Sequence, residues 1–157
     1  MERNQLKHWE HLSKIPNCPV AECEEKDGYA FRWVHNPLEE NDFVPLALTE
    51  FPPRVLDEND KQCKYYGLSV FDTLLNAKKV YMDCYNRQTR KKLGEKFRAE
   101  KGDFIAHVRL QTSDGVSSSP STSPNNMGHF TLYLYKNAKP QENIIKIFNI
   151  FEMNGNN

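Results

Sequence analysis

The chain has 157 residues and a mass of 18.3 kDa, with 21 basic and 21 acidic side chains and a formal charge of zero. That balance removes an overall electrostatic case for nucleic acid or a membrane surface, and no apolar run approaches the roughly 18 residues that span a bilayer. The 9 Phe, 7 Tyr and 2 Trp exclude a disordered chain, which would be poor in aromatics.

Residues 4–15 place Leu6, Trp9, Leu12 and Ile15 at near-helical spacing, and Pro16 stops the run. This predicts a short amphipathic N-terminal helix over 1–15 that packs on the domain or on a partner. The stretch from Met1 to Lys14 lacks the apolar core of a secretion signal, so the expected compartment is the cytoplasm. Pro16 to Gly28 reads as an acidic loop. Tyr29 to His35 is rich in aromatic and β-branched residues and reads as the first strand, ended by Asn36-Pro37.

Leu38 to Lys64 is punctuated by Pro45, Pro52 and Pro53 and holds a solvated acidic turn at 57–60. A long stretch of this kind often wraps a site. Gly67 to Phe71 reads as a second strand, and Asp72 is the expected cap of the main helix, about 72–86. Arg87 to Lys101 is basic and reads as a helix or broken turn. Asp103 to Gln111 alternates as a half-buried strand. Val116 to Asn126 is a Ser/Pro-rich segment expected to be a flexible loop (116–126). Gly128 to Lys136 is a further strand, Glu142 to Phe151 favours a strand, and the tail from Asn154 to Asn157 is expected to fray. The pattern predicts a single α+β domain over 1–157, with its core at 29–153, a mostly antiparallel sheet and one main helix.

Charge is unevenly distributed. Residues 1–60 carry 6 basic and 13 acidic side chains, residues 61–101 carry 11 and 4, and the remainder carry 4 and 4. The dipolar surface fits a protein partner or a second copy of the chain, with Arg90, Lys91 and Lys92 as its basic contact. Of the four cysteines, Cys18 and Cys23 lack a second close pair, so no metal site is expected. Cys84 reads as a core residue. Without a secretion signal, disulfides are not expected.

Three histidines could carry chemistry. His35 ends a strand before an Asn-Pro turn, while His107 and His129 lie on two strands that one loop joins, so they could be hairpin neighbours. Imidazoles near neutral pKa can act as acid and base or bind an anion.

The segment His129-Phe130-Thr131 resembles the His-x-Thr element of two-histidine phosphoesterases, although His107-Val108-Arg109 lacks the hydroxyl a second copy would need. The order Arg32 or His35, then Tyr65-Tyr66-Gly67-Leu68-Ser69, then Glu142 or Glu152 resembles ADP-ribosyltransferase-like folds. That resemblance implies NAD as cofactor, with a cation and a tyrosine or serine holding it and an acidic catalyst. The skeleton Arg32-Trp33-Val34-His35-Asn36-Pro37, Phe51-Pro52, Leu68-Ser69-Val70, Ala77, Tyr81 and Pro124…His129 resembles a group of small bacterial proteins of unassigned activity. It departs from them by Asn36 before the proline, and it implies a site at His35, Ser69 and His129.

Two expectations follow. The first is a small cytoplasmic binding or accessory module working with a protein partner and using no cofactor. The alternative is a small enzyme on a nucleotide or phosphate-containing substrate, ADP-ribosyltransferase-like within that class and NAD-dependent. There Arg32 and Tyr66 would bind the ligand, and His35, Ser69, His129 and Glu152 would be catalytic. Nucleic acid and membrane are expected partners in neither.

Overall fold

The computed structural model describes residues 2–152; the expected tail at 154–157 lies outside them. Seven strands, β1 (Glu24–Glu25), β2 (Gly28–Val34), β3 (Leu68–Phe71), β4 (Phe104–Leu110), β5 (Gly115–Ser117), β6 (His129–Leu134) and β7 (Ile144–Asn149), form one antiparallel sheet. Their order is β1-β5-β6-β3-β2-β4-β7. Among the described residues four α-helices accompany it: α1 (Trp9–Leu12), α2 (Asn59–Tyr65), α3 (Leu74–Asn86) and α4 (Lys91–Lys101). The fold is α+β, as the element pattern predicts. Among the described residues no helix is long and apolar enough to cross a membrane.

Side chains alternate across the strands and so divide the core. Ala30, Val34, Leu68, Val70, Ala106, Val108, Phe130 and Leu132 pack together on one face, with Phe43 against them. The intervening Phe31, Trp33, Phe71 and Ile105 meet Ala77, Val80 and Tyr81 of α3 and Phe97 of α4. Leu6, Leu12, Val116, Tyr133 and Tyr135 gather with three cysteines in a third cluster.

The chain corrects several expectations. The N-terminal helix shrinks to α1 because His8 sits in the left-handed region at φ 65°. Leu6 instead bridges to Tyr135, and Lys7 N–H donates to the Leu134 carbonyl, which staples the segment to the sheet. The acidic turn at 57–60 is the entry to α2: carboxylates favour a helix N-terminus, and Asp60 pairs with Lys64 one turn on. Thr73 rather than Asp72 caps α3, accepting from the Asn76 N–H at 3.1 Å.

The Ser/Pro-rich segment is not a free loop. Gly115–Ser117 pairs with both β1 and β6, and Ser118 and Ser121 continue the backbone bonding along Thr131 and His129. Composition hides this because serine can serve a sheet edge as well as a linker. His107 and His129 are not hairpin neighbours either, since β3 and β2 lie between their strands.

Cys18 and Cys63 form a disulfide across a separation of 45 residues, against the expectation from sequence that disulfides are absent. It ties the N-terminal segment to α2. Cys23 is a buried free thiol, and Cys84 is half-buried beside the α3 aromatics.

Candidate functional site

The seam between β2 and β3 opens the site. β2 is registered with β4 over seven pairs from Gly28↔Leu110 to Val34↔Phe104, and β3 with β6 over four, yet β2 and β3 share Phe31↔Phe71 alone. Where the ladder lapses, a side chain replaces it. Arg32 donates from one terminal nitrogen to the Ser69 carbonyl at 2.7 Å and from Nε to the Asp42 carbonyl at 2.6 Å. A cleft of about 610 Å³ opens there, within the range of small-molecule sites. Trp33, Ser69 and Phe71 line its sheet side, Lys64 and Tyr65 of α2 one wall, and the end of α4 another. The stretch from Glu39 to Pro52 supplies the rest of the lining, so the proline-punctuated segment does wrap the cleft.

His35 stands where β2 leaves the sheet, and both of its ring nitrogens are engaged. Nδ1 donates to Asp42 Oδ1 at 2.7 Å and Nε2 donates to the Ala99 carbonyl at 2.7 Å. Ala99 lies in the last turn of α4, whose carbonyls have no helical partner and whose dipole favours a cation. Burial opposes the imidazolium, but the Ala99 carbonyl and the Asp42 carboxylate outweigh it and raise the His35 pKa. Asp42 is buried and also accepts from the backbone N–H groups of His35 and Glu39. His35 is therefore a clamp between the wrapping segment and α4, with no ring nitrogen left for a ligand.

Ser69 is exposed on β3, and its hydroxyl meets His129 Nε2 at 2.5 Å. The pairing follows from sheet register. Ser69 opposes Thr131 and Phe71 opposes His129, so both polar side chains lie on one face two positions apart. The His129 ring stands edge-on to Phe71 at 5.5 Å. Burial, and then the Lys64 ammonium, lower the His129 pKa. Both effects favour the neutral imidazole, which in its Nδ1–H tautomer accepts the serine proton at Nε2.

Two cations at this cleft have no carboxylate within ion-pairing distance among the described residues: Arg32 and Lys101. Desolvation pulls the Arg32 pKa down to about 10, against the Asp42 charge, and the group stays protonated. Desolvation also lowers Lys101, and the nearby positive charges of Arg54 and Arg32 add to the effect, against Glu50 and Glu100. Both cations line the same sheltered cleft and repel one another, an arrangement that an anion would relieve. The acids around them are mostly engaged elsewhere. Glu50 accepts from Tyr65 Oη at 2.7 Å and pairs with Arg54 at 2.8 Å, and Asp42 holds His35.

Of the residues expected from sequence, Arg32, His35 and Ser69 line the cleft, and His129 adjoins it through Ser69. Tyr66 points elsewhere, stacked on His11 at 5.0 Å; its neighbour Tyr65 faces the cleft instead. Glu152 is exposed in the short turn after β7, next to Phe151, which packs on Tyr81 and Tyr85. Glu142 is exposed just before β7. Neither glutamate lines the cleft, so the residue set of the ADP-ribosyltransferase resemblance is not assembled. Arg90, Lys91 and Lys92 are exposed at the start of α4.

Asp42 and Lys101 escape a reading of the sequence, and of the Tyr65-Tyr66 pair that it quotes, the ligand-binding role expected of Tyr66 falls on the side chain that does not line the cleft. The acids at 39, 40 and 42 hold a signal: a carboxylate buried in a turn needs a donor, and His35 is the nearby candidate. No family model matches the chain, and no curated protein or solved structure shows significant similarity to it.

Proposed function

We propose that this cleft is an active site for a phosphate ester, with Ser69 as nucleophile, His129 as general base, and Arg32 and Lys101 as the clamp on the anion. The observation that carries the reading is the Ser69 Oγ to His129 Nε2 contact at 2.5 Å on the seam that Arg32 bridges. A neutral imidazole accepts the hydroxyl proton as Oγ bonds to phosphorus. The bond to the leaving alcohol breaks, and the imidazolium returns its proton to that oxygen. Water then attacks the phosphoserine with His129 taking its proton, and Ser69 leaves as the protonated hydroxyl. The two cations neutralise charge on the phosphoryl oxygens throughout.

Turnover of p-nitrophenyl phosphate and bis(p-nitrophenyl) phosphate tests this. Ser69→Ala and His129→Ala should each lower the rate by about 10²- to 10⁴-fold while the melting temperature moves little. Wild-type protein that turns over neither ester, or variants as active as wild type, would sink the reading. A dinucleotide such as NAD fits this chemistry as a phosphate-bearing ligand rather than through the Tyr66 and Glu152 set.

A second reading rests on another surface. Arg90, Lys91 and Lys92 make no ion pair among the described residues, which suits contact with an acidic partner or a second copy of the chain. The Cys18–Cys63 disulfide favours an oxidising compartment over the cytoplasm expected from sequence. Thiol counting on protein purified without reductant decides that point.

A further inference from the structure

Phe51 lines the cleft yet is 97% exposed. Isolated apolar side chains on a surface are ordinary, but a whole phenyl ring held at the rim of a site is a different case. The ring is carried on a fixed base. Its neighbour Glu50 is tied to Tyr65 and Arg54, and Arg54 N–H donates to Tyr65 Oη at 3.1 Å. The segment is thus anchored on both sides of Phe51 to the α2 wall, while the ring itself has no ring partner among the described residues. The same cleft is lined by Trp33 and Phe71, themselves stacked at 5.4 Å. The cleft lining thus combines two cations, Arg32 and Lys101, with aromatic rings, one of which is left uncovered.

We infer that Phe51 is the specificity residue of the cleft, stacking on the planar ring of a ligand whose phosphate sits at Arg32 and Lys101, so that the substrate class is a nucleotide. The inference rests on the phosphate-ester reading of the site and adds the base to it. A nucleobase offers a flat π-face of the right kind for an aromatic side chain, and such stacking tolerates any base. Covering an exposed phenyl ring is worth about tenfold to a hundredfold in affinity. The ring is unspent in the free protein and becomes buried only with a ligand that has a planar group, which is how such a residue discriminates.

Calorimetric titration in the Ser69→Ala background, which keeps the anion site but cannot form the phosphoserine, with inorganic phosphate, ribose 5-phosphate and adenosine 5′-monophosphate separates recognition of the phosphate from recognition of the base. With Phe51 intact, that protein should bind ribose 5-phosphate and inorganic phosphate, and bind the nucleotide at least tenfold more tightly than the sugar phosphate. Phe51→Ala should erase that nucleotide advantage and leave the affinity for the other two unchanged, and Phe51→Trp should retain it. Lys101→Ala should weaken all three. A nucleotide bound no better than ribose 5-phosphate, or an advantage that survives in Phe51→Ala, overturns the role of Phe51 and leaves the anion site standing. Failure of all three to bind overturns the phosphate-ester reading and the role of Phe51 together.

Discussion

Two regions of this molecule adjoin at Trp33 and Phe71 and use their residues in opposite ways. Beneath α3 and α4, ring packs against ring. Tyr81 is fully buried, meets Trp33, Phe97 and Phe151 at 5.2, 5.0 and 6.0 Å, and donates its hydroxyl to the Gly102 carbonyl at 2.7 Å. Gly102 ends α4 at φ 76°, and a Cβ there would lie 2.0 Å from the Val34 carbonyl, so the helix stop and the β2 backbone are fitted to one another. In the cleft, by contrast, Arg32 and Lys101 have no carboxylate within ion-pairing distance among the described residues, Ser69 is exposed, and Phe51 is uncovered. The first region has spent its interactions on the fold; the second holds some in reserve, and sites are built from such reserves.

The largest expected effect tests the first half of that contrast. Tyr81→Ala should cost about 3–5 kcal/mol, the usual range for emptying a large aromatic site in a core, and lower the melting temperature by about 10 °C. Phosphate binding measured well below that temperature should persist. If binding goes while the fold holds, the two regions are coupled through Trp33 and Phe71 and the contrast fails.

The disulfide comes next, because it holds the cleft rather than the aromatic block. Replacing Cys18 and Cys63 by serine opens a loop of 45 residues, for which chain entropy gives about 4 kcal/mol. Hydrogen exchange should accelerate first in α2, which carries Lys64 and Tyr65, while α3 amides stay protected. Uniform acceleration in both helices would show that the molecule opens as one unit.

How much of this is legible in the sequence depends on the range of the interaction involved. The strands containing Trp33, Val108 and Leu132 and the helix at Leu74–Asn86 announce themselves by local periodicity, which needs no knowledge of partners. Ser69 and His129 stand out one at a time, but their contact depends on β3 pairing with β6, a choice of strand order that no local pattern carries. For the same reason His107 and His129 look like neighbours in the sequence and are not. Asp42 and Lys101 are hidden because their significance lies in what surrounds them: one is buried beneath His35, the other desolvated beside Arg32. The disulfide is hidden for a like reason. The packing of Leu6, Leu12 and Tyr133 gathers Cys18 and Cys63 into one cluster across 45 residues, which no local pattern carries.

A smaller effect, readable by pH, separates the two histidines. The His35 pKa is raised in the fold, so its contribution is fully present below its unfolded value near 6.5 and is lost as pH rises through the higher folded value. His129 is lowered, so its contribution is present above its unfolded value and is lost as pH falls through the folded one. His35→Ala should cost about 1–3 kcal/mol at pH 6, since it strands the buried Asp42 carboxylate, and less at pH 9. His129→Ala should instead flatten the acid side of the stability profile. An equal loss from His35→Ala at both pH values would show that packing, and not the imidazolium clamp, is what the residue supplies.

The smallest expected effect concerns charge that neither region uses. Arg90 stands at the N-cap of α4, Lys91 and Lys92 follow, and no acidic side chain occupies the first turn. Cations at a helix N-terminus oppose the dipole, at a cost of about 0.3–1 kcal/mol each at low salt. Replacing all three with glutamate should therefore stabilise the fold by about 1 kcal/mol or more, an increment that fades as salt is added. If these cations contact a second copy of the chain, sedimentation of the wild type at low salt should show association that salt abolishes, and the glutamate variant should remain monomeric at both. A variant that sediments like the wild type at low salt would end the self-association reading. A variant that is also no more stable than the wild type would show that another group already neutralises the α4 dipole, and that these cations belong to the fold in the way the rings behind them do.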